Sequence, residues 1–351
     1  MSVRVTAAQD GTDPFGTARL RRGVIDSWAA GPSRFREDAN AEEDLALGGY
    51  RDRLVVELAQ NAADAAARAG VPGRLRLTLH AGNGEPPVLA AANTGAPLDA
   101  TGVESLSTLR ASAKRESTSS GDTVGRFGVG FAAVLAVSDE PAVLGRHGGV
   151  RWSLAEAREL AREAAAFSPG LGDELRRRDG HVPLLRLPLP AEGTAPEGYD
   201  TVVVLPLRDP AAEDLVQRLL AGIDDALLLT LPGLHEITVD TPAGGTRTLR
   251  RTAEGPYTVI EDSRDAAGTL AAPGTAEQTR RWRTVRHTGP IEPALLADRP
   301  VEERLRPAWT VSWAVPVDAA GAPVRPATAP VVHAPTPTDE PLGIPALLIA
   351  T

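Results

Sequence analysis

Cysteine is absent from the 351 residues, so the chain has no disulfide framework, no thiolate metal site and no thiol nucleophile. Aromatic residues are scarce at 4%, and the formal charge is -9. Both argue against nucleic-acid binding, which needs a cationic footprint and stacking surfaces. Lysine is nearly missing: Lys114 is the only one, and arginine supplies the rest of the positive charge. No apolar run approaches the roughly 18 residues of a membrane span. The opening stretch MSVRVTAAQDGTDPFG also lacks the basic start and apolar core of a secretory signal. These absences make the cytoplasm the expected address, with no membrane partner.

What is present is 42% hydrophobic residues, enough to bury a real core in one large domain followed by a second or partial one. Leu20, Val24, Ile25 and Trp28 fall at helical spacing, and Gly31-Pro32 stops that helix. The acidic stretch REDANAEEDLALGG reads as a solvated helix or loop. A helix over RLVVELAQNAADAAARAG ends at Gly70 and Pro72. Leu75, Leu77 and Leu79 then alternate at period two and turn through Gly82-Asn83-Gly84, a hairpin pattern. Residues 98–126 are polar and rich in Ser, Thr and Gly; they read as a mobile segment, helical at most over GVESLSTLRAS. GRFGVGFAAVLAVSD turns a glycine-rich loop into an apolar helix, and AVLGRHGGVRWSL gives a strand pair. Helices are expected over LAEARELAREAAAF, GDELRRR and AEDLVQRLLAGIDDALLLTL, with TVVVLPL a buried strand and HEITVD pairing GTRTLRR. Past residue 245 the pattern is β-rich, and the apolar ending PLGIPALLIAT suggests a following domain cut short. Helices between hairpin-joined strands indicate an α+β fold, an α/β sandwich whose mixed, largely antiparallel sheet carries helices on one face. The boundary is placed between 1–245 and 246–351.

Three stretches carry chemistry. Along the helix after Arg53, Asn61 lies about 40° from Glu57 and Asp64 about 20° to its other side, so the three share one face. Taken alone this is a solvated polar stripe. Its neighbours Ala59, Ala62, Ala63 and Ala65, however, are small enough for another backbone or a flat ligand to come close. In GRFGVGF, Gly128 and Gly130 free backbone N–H groups at the start of a helix, an anion-binding arrangement, although two glycines in a tight turn are common. The strand ending in Asn93, Thr94 and Gly95 could offer a polar side chain to a base edge or be a plain Asn-x-Gly turn.

The order of these motifs resembles the GHKL ATPases, the superfamily of the ninety-kilodalton heat-shock chaperones, DNA gyrase B subunits, mismatch-repair ATPases and sensor histidine kinases. ELAQNAADA and VGRFGVGFAAVLAVSD are most similar to the chaperones and to sacsin-type ATP-binding domains, over about residues 50 to 240. The resemblance implies a Bergerat fold that binds ATP with magnesium. Asn61 would hold Mg²⁺, a hard cation that takes few protein ligands. Glu57 would orient or deprotonate the attacking water. Asp64 would shape the base pocket, while Asn93, Gly95 and Thr201 would meet the base. Gly125, Gly128, Val129, Gly130 and Phe131 would present N–H groups to phosphate. Residues 99–124 would form the lid, from which Lys114 and Ser112 could reach phosphate, although Lys114 is as readily a solvated charge.

Two departures from the family pattern stand out. The adenine-reading D-x-G-x-G is Asn93-Thr94-Gly95-Ala96-Pro97 here, which puts base selectivity in question. The basic residue that relatives receive from a following domain has no evident counterpart. The expected function is a sacsin-type, chaperone-like switch that binds Mg-ATP and hydrolyses it slowly, acting on client or partner proteins, with oligomerisation left open. The alternative is a nucleotide-sensing interaction module without hydrolysis. A histidine kinase is disfavoured, because no histidine precedes residue 80.

Overall fold

A computed structural model describes residues 5–7, 13–47, 51–82, 84–107, 130–265, 276–299, 304, 307–328, 331–334 and 336–350. Eight helices carry the argument: α1 (Thr17–Ala30), α2 (Pro32–Leu47), α3 (Leu54–Ala69), α4 (Ala100–Ser107), α5 (Leu154–Ala165), α6 (Pro169–Arg177), α7 (Pro210–Ala221) and α8 (Asp225–Thr230). The first strands are β1 (Thr6–Ala7), β2 (Gly73–His80), β3 (Val88–Asn93), β4 (Ala142–Gly145), β5 (Gly148–Arg151), β6 (Leu189–Glu192) and β7 (Thr201–Pro206). They are followed by β8 (Leu234–Thr241), β9 (Gly245–Glu254), β10 (Tyr257–Asp265) and β11 (Ala276–Pro290). The last are β12 (Ala308–Val317), β13 (Val331–Ala334), β14 (Thr336–Pro341) and β15 (Leu347–Ala350).

All fifteen strands join in one sheet of order β1-β6-β5-β4-β7-β3-β2-β8-β9-β10-β11-β12-β15-β13-β14. The pairs β2–β8 and β13–β15 are parallel and the others antiparallel, so the expectation of a mixed, largely antiparallel sheet in an α+β chain holds. The sheet runs without a break through residue 245, where Thr241 pairs with Gly245 across the β8–β9 hairpin.

The period-two alternation that predicts β2 also sets its burial. Leu75, Leu77 and Leu79 are buried against the helices, together with Leu89 and Ala91 of β3. Ala90 and Ala92 point the other way, into a smaller cluster with Leu144, Val202 and Val204 that contains no helical residue. Among the described residues no helix is long and apolar enough to cross a membrane.

Three expectations are corrected. The apolar stretch after the glycine loop is a 3₁₀ turn, Gly130–Ala136, rather than an α-helix, and Phe131 through Ala136 are all buried. The single helix expected over 212–231 is two, because Asp224 caps α8 by accepting from the Ala226 N–H at 3.0 Å and turns the chain out of α7.

The acidic stretch is solvated on one face only, where Glu37 and Asp44 are exposed. It forms most of α2, and Asp38 and Glu42, one turn apart, are only 4% and 2% exposed, sharing the inward face with Phe35 and Ala39. Asp38 accepts from the Trp28 indole at 2.9 Å and from Arg186 at 2.7 Å, and Arg186 also donates to the Ser107 carbonyl at the end of α4. Glu42 accepts from the Leu184 and Leu185 N–H groups at 2.6 and 3.0 Å. Burial pushes its carboxyl up from 4.5 to about 7, against the two backbone hydrogen bonds and the Arg186 charge that favour ionisation; the neighbouring Asp38 adds to the rise.

Candidate functional site

Helix α3 is the wall on which the polar stripe sits. It starts after a 3₁₀ turn at Arg51–Arg53 and ends where Gly70 adopts left-handed φ 65° and ψ 32°. Val71 N–H then closes back to the Ala66 carbonyl at 3.1 Å, the glycine cap that the sequence predicts. Along the stripe Glu57 is half-buried, Asn61 is exposed and Asp64 is only 1% exposed. Asn61 projects between buried Gln60 and Ala62, so its carboxamide is reachable from solvent while the helix around it is fixed by packing.

Glycines meet α3 at both ends. A Cβ on Gly130 would overlap the Glu57 carboxylate, so the first residue of the 3₁₀ turn lies directly on the acid. Phe131 follows it into the core, 5.4 Å from the Trp152 ring. At the other end Gly95 has φ +136°, and a Cβ there would stand 2.5 Å from the Ala66 nitrogen. Ala96 N–H donates to the Ala65 carbonyl at 2.8 Å, stitching the turn to the helix. A Cβ on Gly233 would lie 2.7 Å from the Ala63 carbonyl, and one on Gly73 would lie 3.0 Å from the Ala66 side chain. The alanines Ala63, Ala65 and Ala66 therefore admit backbone from two loops and from the start of β2. Of the two uses open to them in the sequence, close backbone approach is the one observed here.

Asn93 is 8% exposed and pairs with Thr201 across β3 and β7, on the sheet face that carries α3. Its carboxamide nitrogen donates to the Thr94 carbonyl at 3.2 Å, which leaves the amide oxygen as its acceptor. Thr94 fixes the turn to β2: its N–H donates to the Arg74 carbonyl at 3.1 Å, and its hydroxyl accepts from the Arg74 N–H at 3.0 Å.

The fold therefore brings Glu57 to Gly130 and Phe131, and Asn93 to Gly95 and Thr201, along one helix that also carries Asn61 and Asp64. Lys114, Ser112, Gly125, Gly128 and Val129 lie outside the described residues, as does the lid beyond Ser107. Sequence reasoning missed Asp200, whose carboxylate accepts from the Gly95 N–H at 2.8 Å and pairs with Arg146. Asp200 and Gly95 are 105 residues apart, and no local pattern could join them; only the β3–β7 pairing does. It also missed the Asp38–Arg186 pair, for which the spacing of Asp38 and Glu42 beside Phe35 was the available signal.

No family model and no curated protein matches the chain.

Proposed function

We propose that the chain is a GHKL-type module with a Bergerat fold that binds Mg-ATP and hydrolyses it slowly, a conformational switch of the sacsin or chaperone type. The observation that carries this reading is the seat of Gly130 on the Glu57 carboxylate. It joins the last glycine of the GRFGVGF motif to the acid of α3, the juxtaposition that a phosphate site beside a water-activating carboxylate requires. The second support is the Asn93–Thr201 pair, which sits at the opposite end of the same helix, where a base would be read.

The donor set suits the group. Asn61 offers an exposed neutral oxygen on a rigid helix, the kind of single protein ligand a hydrated hard cation takes. When bound, the cation supplies charge neutralisation to the phosphates. Glu57 orients a water and accepts its proton, which calls for hydrogen-bond reach more than for an unusual pKa. The Asn93 oxygen accepts from an exocyclic amino group, and the buried Asp64 shapes the pocket near the base.

Two measurements test the reading. Calorimetric titration with Mg-ATP, Mg-ADP and Mg-GTP reports the nucleotide; absence of binding by all three removes the proposal. Phosphate release compared between wild type and Glu57→Ala reports hydrolysis. A loss of at least tenfold is expected, and equal rates would leave only the binding module.

A further inference from the structure

Asp200 immediately precedes β7 and reaches the turn that carries Asn93 and Gly95. Its N–H donates to the Asn93 carbonyl at 2.9 Å, its Oδ2 accepts from the Gly95 N–H at 2.8 Å, and its Oδ1 pairs with the Arg146 guanidinium. The carboxylate is 16% exposed and Arg146 60% exposed, so the acid is largely withdrawn from water while its counter-charge lies at the surface. Arg146 belongs to the tip of the β4–β5 hairpin, whose Gly145 packs against Leu98; the tip therefore abuts the chain just after the turn.

We infer that Asp200, oriented by Arg146, is a positioning residue that fixes the Asn93–Gly95 turn so that the Asn93 carboxamide is held toward the site. The inference rests on the nucleotide reading above. Thr94 ties the turn to β2 and Ala96 ties it to α3, but the buried N–H of Gly95 finds its acceptor on Asp200. A neutral amide at position 93 recognises a base less strongly than a carboxylate does, so its affinity depends more on being held in one orientation. The negative charge that the turn lacks at 93 is present behind it, neutralised by arginine and used to anchor backbone rather than to touch ligand.

The experiment pairs amide hydrogen exchange at Gly95, read by NMR on the full chain without nucleotide, with calorimetric affinity for Mg-ATP. Asp200→Ala is expected to speed Gly95 exchange at least tenfold, leave the β8–β9 hairpin unchanged, and weaken Mg-ATP about tenfold. Asp200→Asn, which keeps an acceptor for the Gly95 N–H, is expected to restore both to within threefold. Because the arginine is exposed, 1 M salt should speed Gly95 exchange about threefold in wild type and leave it unaltered in Arg146→Ala, where the pair is already gone. Unchanged Gly95 exchange in Asp200→Ala overturns the clamp, and faster exchange with unchanged affinity overturns its positioning role. If Asp200→Ala does not fold, the salt series decides: salt-independent exchange in wild type overturns the proposal. Failure of the wild type to bind nucleotide strikes the nucleotide reading and the positioning role with it, whereas the exchange data judge the clamp separately.

Discussion

Glu42 makes stability depend on pH in a direction opposite to that of most carboxylates. The group is buried and its carboxyl is raised from 4.5 to about 7, so between those values the folded chain keeps a proton that the unfolded chain has released. The stabilisation is complete below pH 4.5 and is lost as pH rises through about 7. Each tenfold gain in proton affinity on folding is worth about 1.4 kcal/mol, so the whole effect is roughly 3 kcal/mol, of which roughly 2–3 falls between pH 5 and 8.

The perturbation is Glu42→Gln. It removes the titration, but its amide nitrogen has no lone pair for the second of the Leu184 and Leu185 N–H groups, which the hydroxyl oxygen of the protonated acid can still accept, at a cost of about 1–3 kcal/mol at low pH. Urea unfolding of both proteins from pH 5 to 8 supplies the measurement. Wild type should be the more stable at pH 5, and its advantage should shrink by roughly 2–3 kcal/mol by pH 8. Taking the difference cancels the histidines His181 and His333, whose pKa values burial lowers and whose stabilising contribution runs the other way. A difference that stays flat across the range would refute the buried acid.

Gly95→Ala should destabilise by about 3 kcal/mol or more, because φ +136° and contact with the Ala66 nitrogen leave no place for a Cβ; a denaturation midpoint checks it. Gly130→Ala should displace the Glu57 carboxylate and reduce phosphate release as much as Glu57→Ala does, while costing little stability because a side-chain tip can give way; parallel activity and melting curves separate the two. Asn61→Ala should abolish the magnesium dependence of nucleotide affinity, and its persistence in a titration with and without the metal would refute the ligand assignment. Asp225→Ala should cost about 1–3 kcal/mol by leaving the buried Trp282 indole, which donates at 2.8 Å, without its acceptor, while Arg280 loses its bond at 2.7 Å but keeps Asp262 at 3.2 Å; thermal unfolding reads it.

Elements with a local cause were legible along the chain. The alternation of Leu75, Leu77 and Leu79, the glycine cap at Gly70, and the apolar spacing of Leu20, Val24 and Trp28 each depend on neighbours within a few residues, and each gives the element it predicts. The polar face shared by Glu57, Asn61 and Asp64 follows from helical geometry alone. Tertiary contact decided the rest. That Asp38 and Glu42 face inward depended on the Leu184–Arg186 turn and Trp28 arriving to receive them, and a charge run carries no sign of such partners. That Gly130 is glycine because a carboxylate needs its space, and that Asp200 anchors Gly95, depended on strands and helices far apart in sequence. A sequence specifies which side chains share a face, because that is set by a repeat of a few bonds. Which faces meet is set by the packing of the whole chain, and there the burial of a charge or the close approach of two backbones is decided.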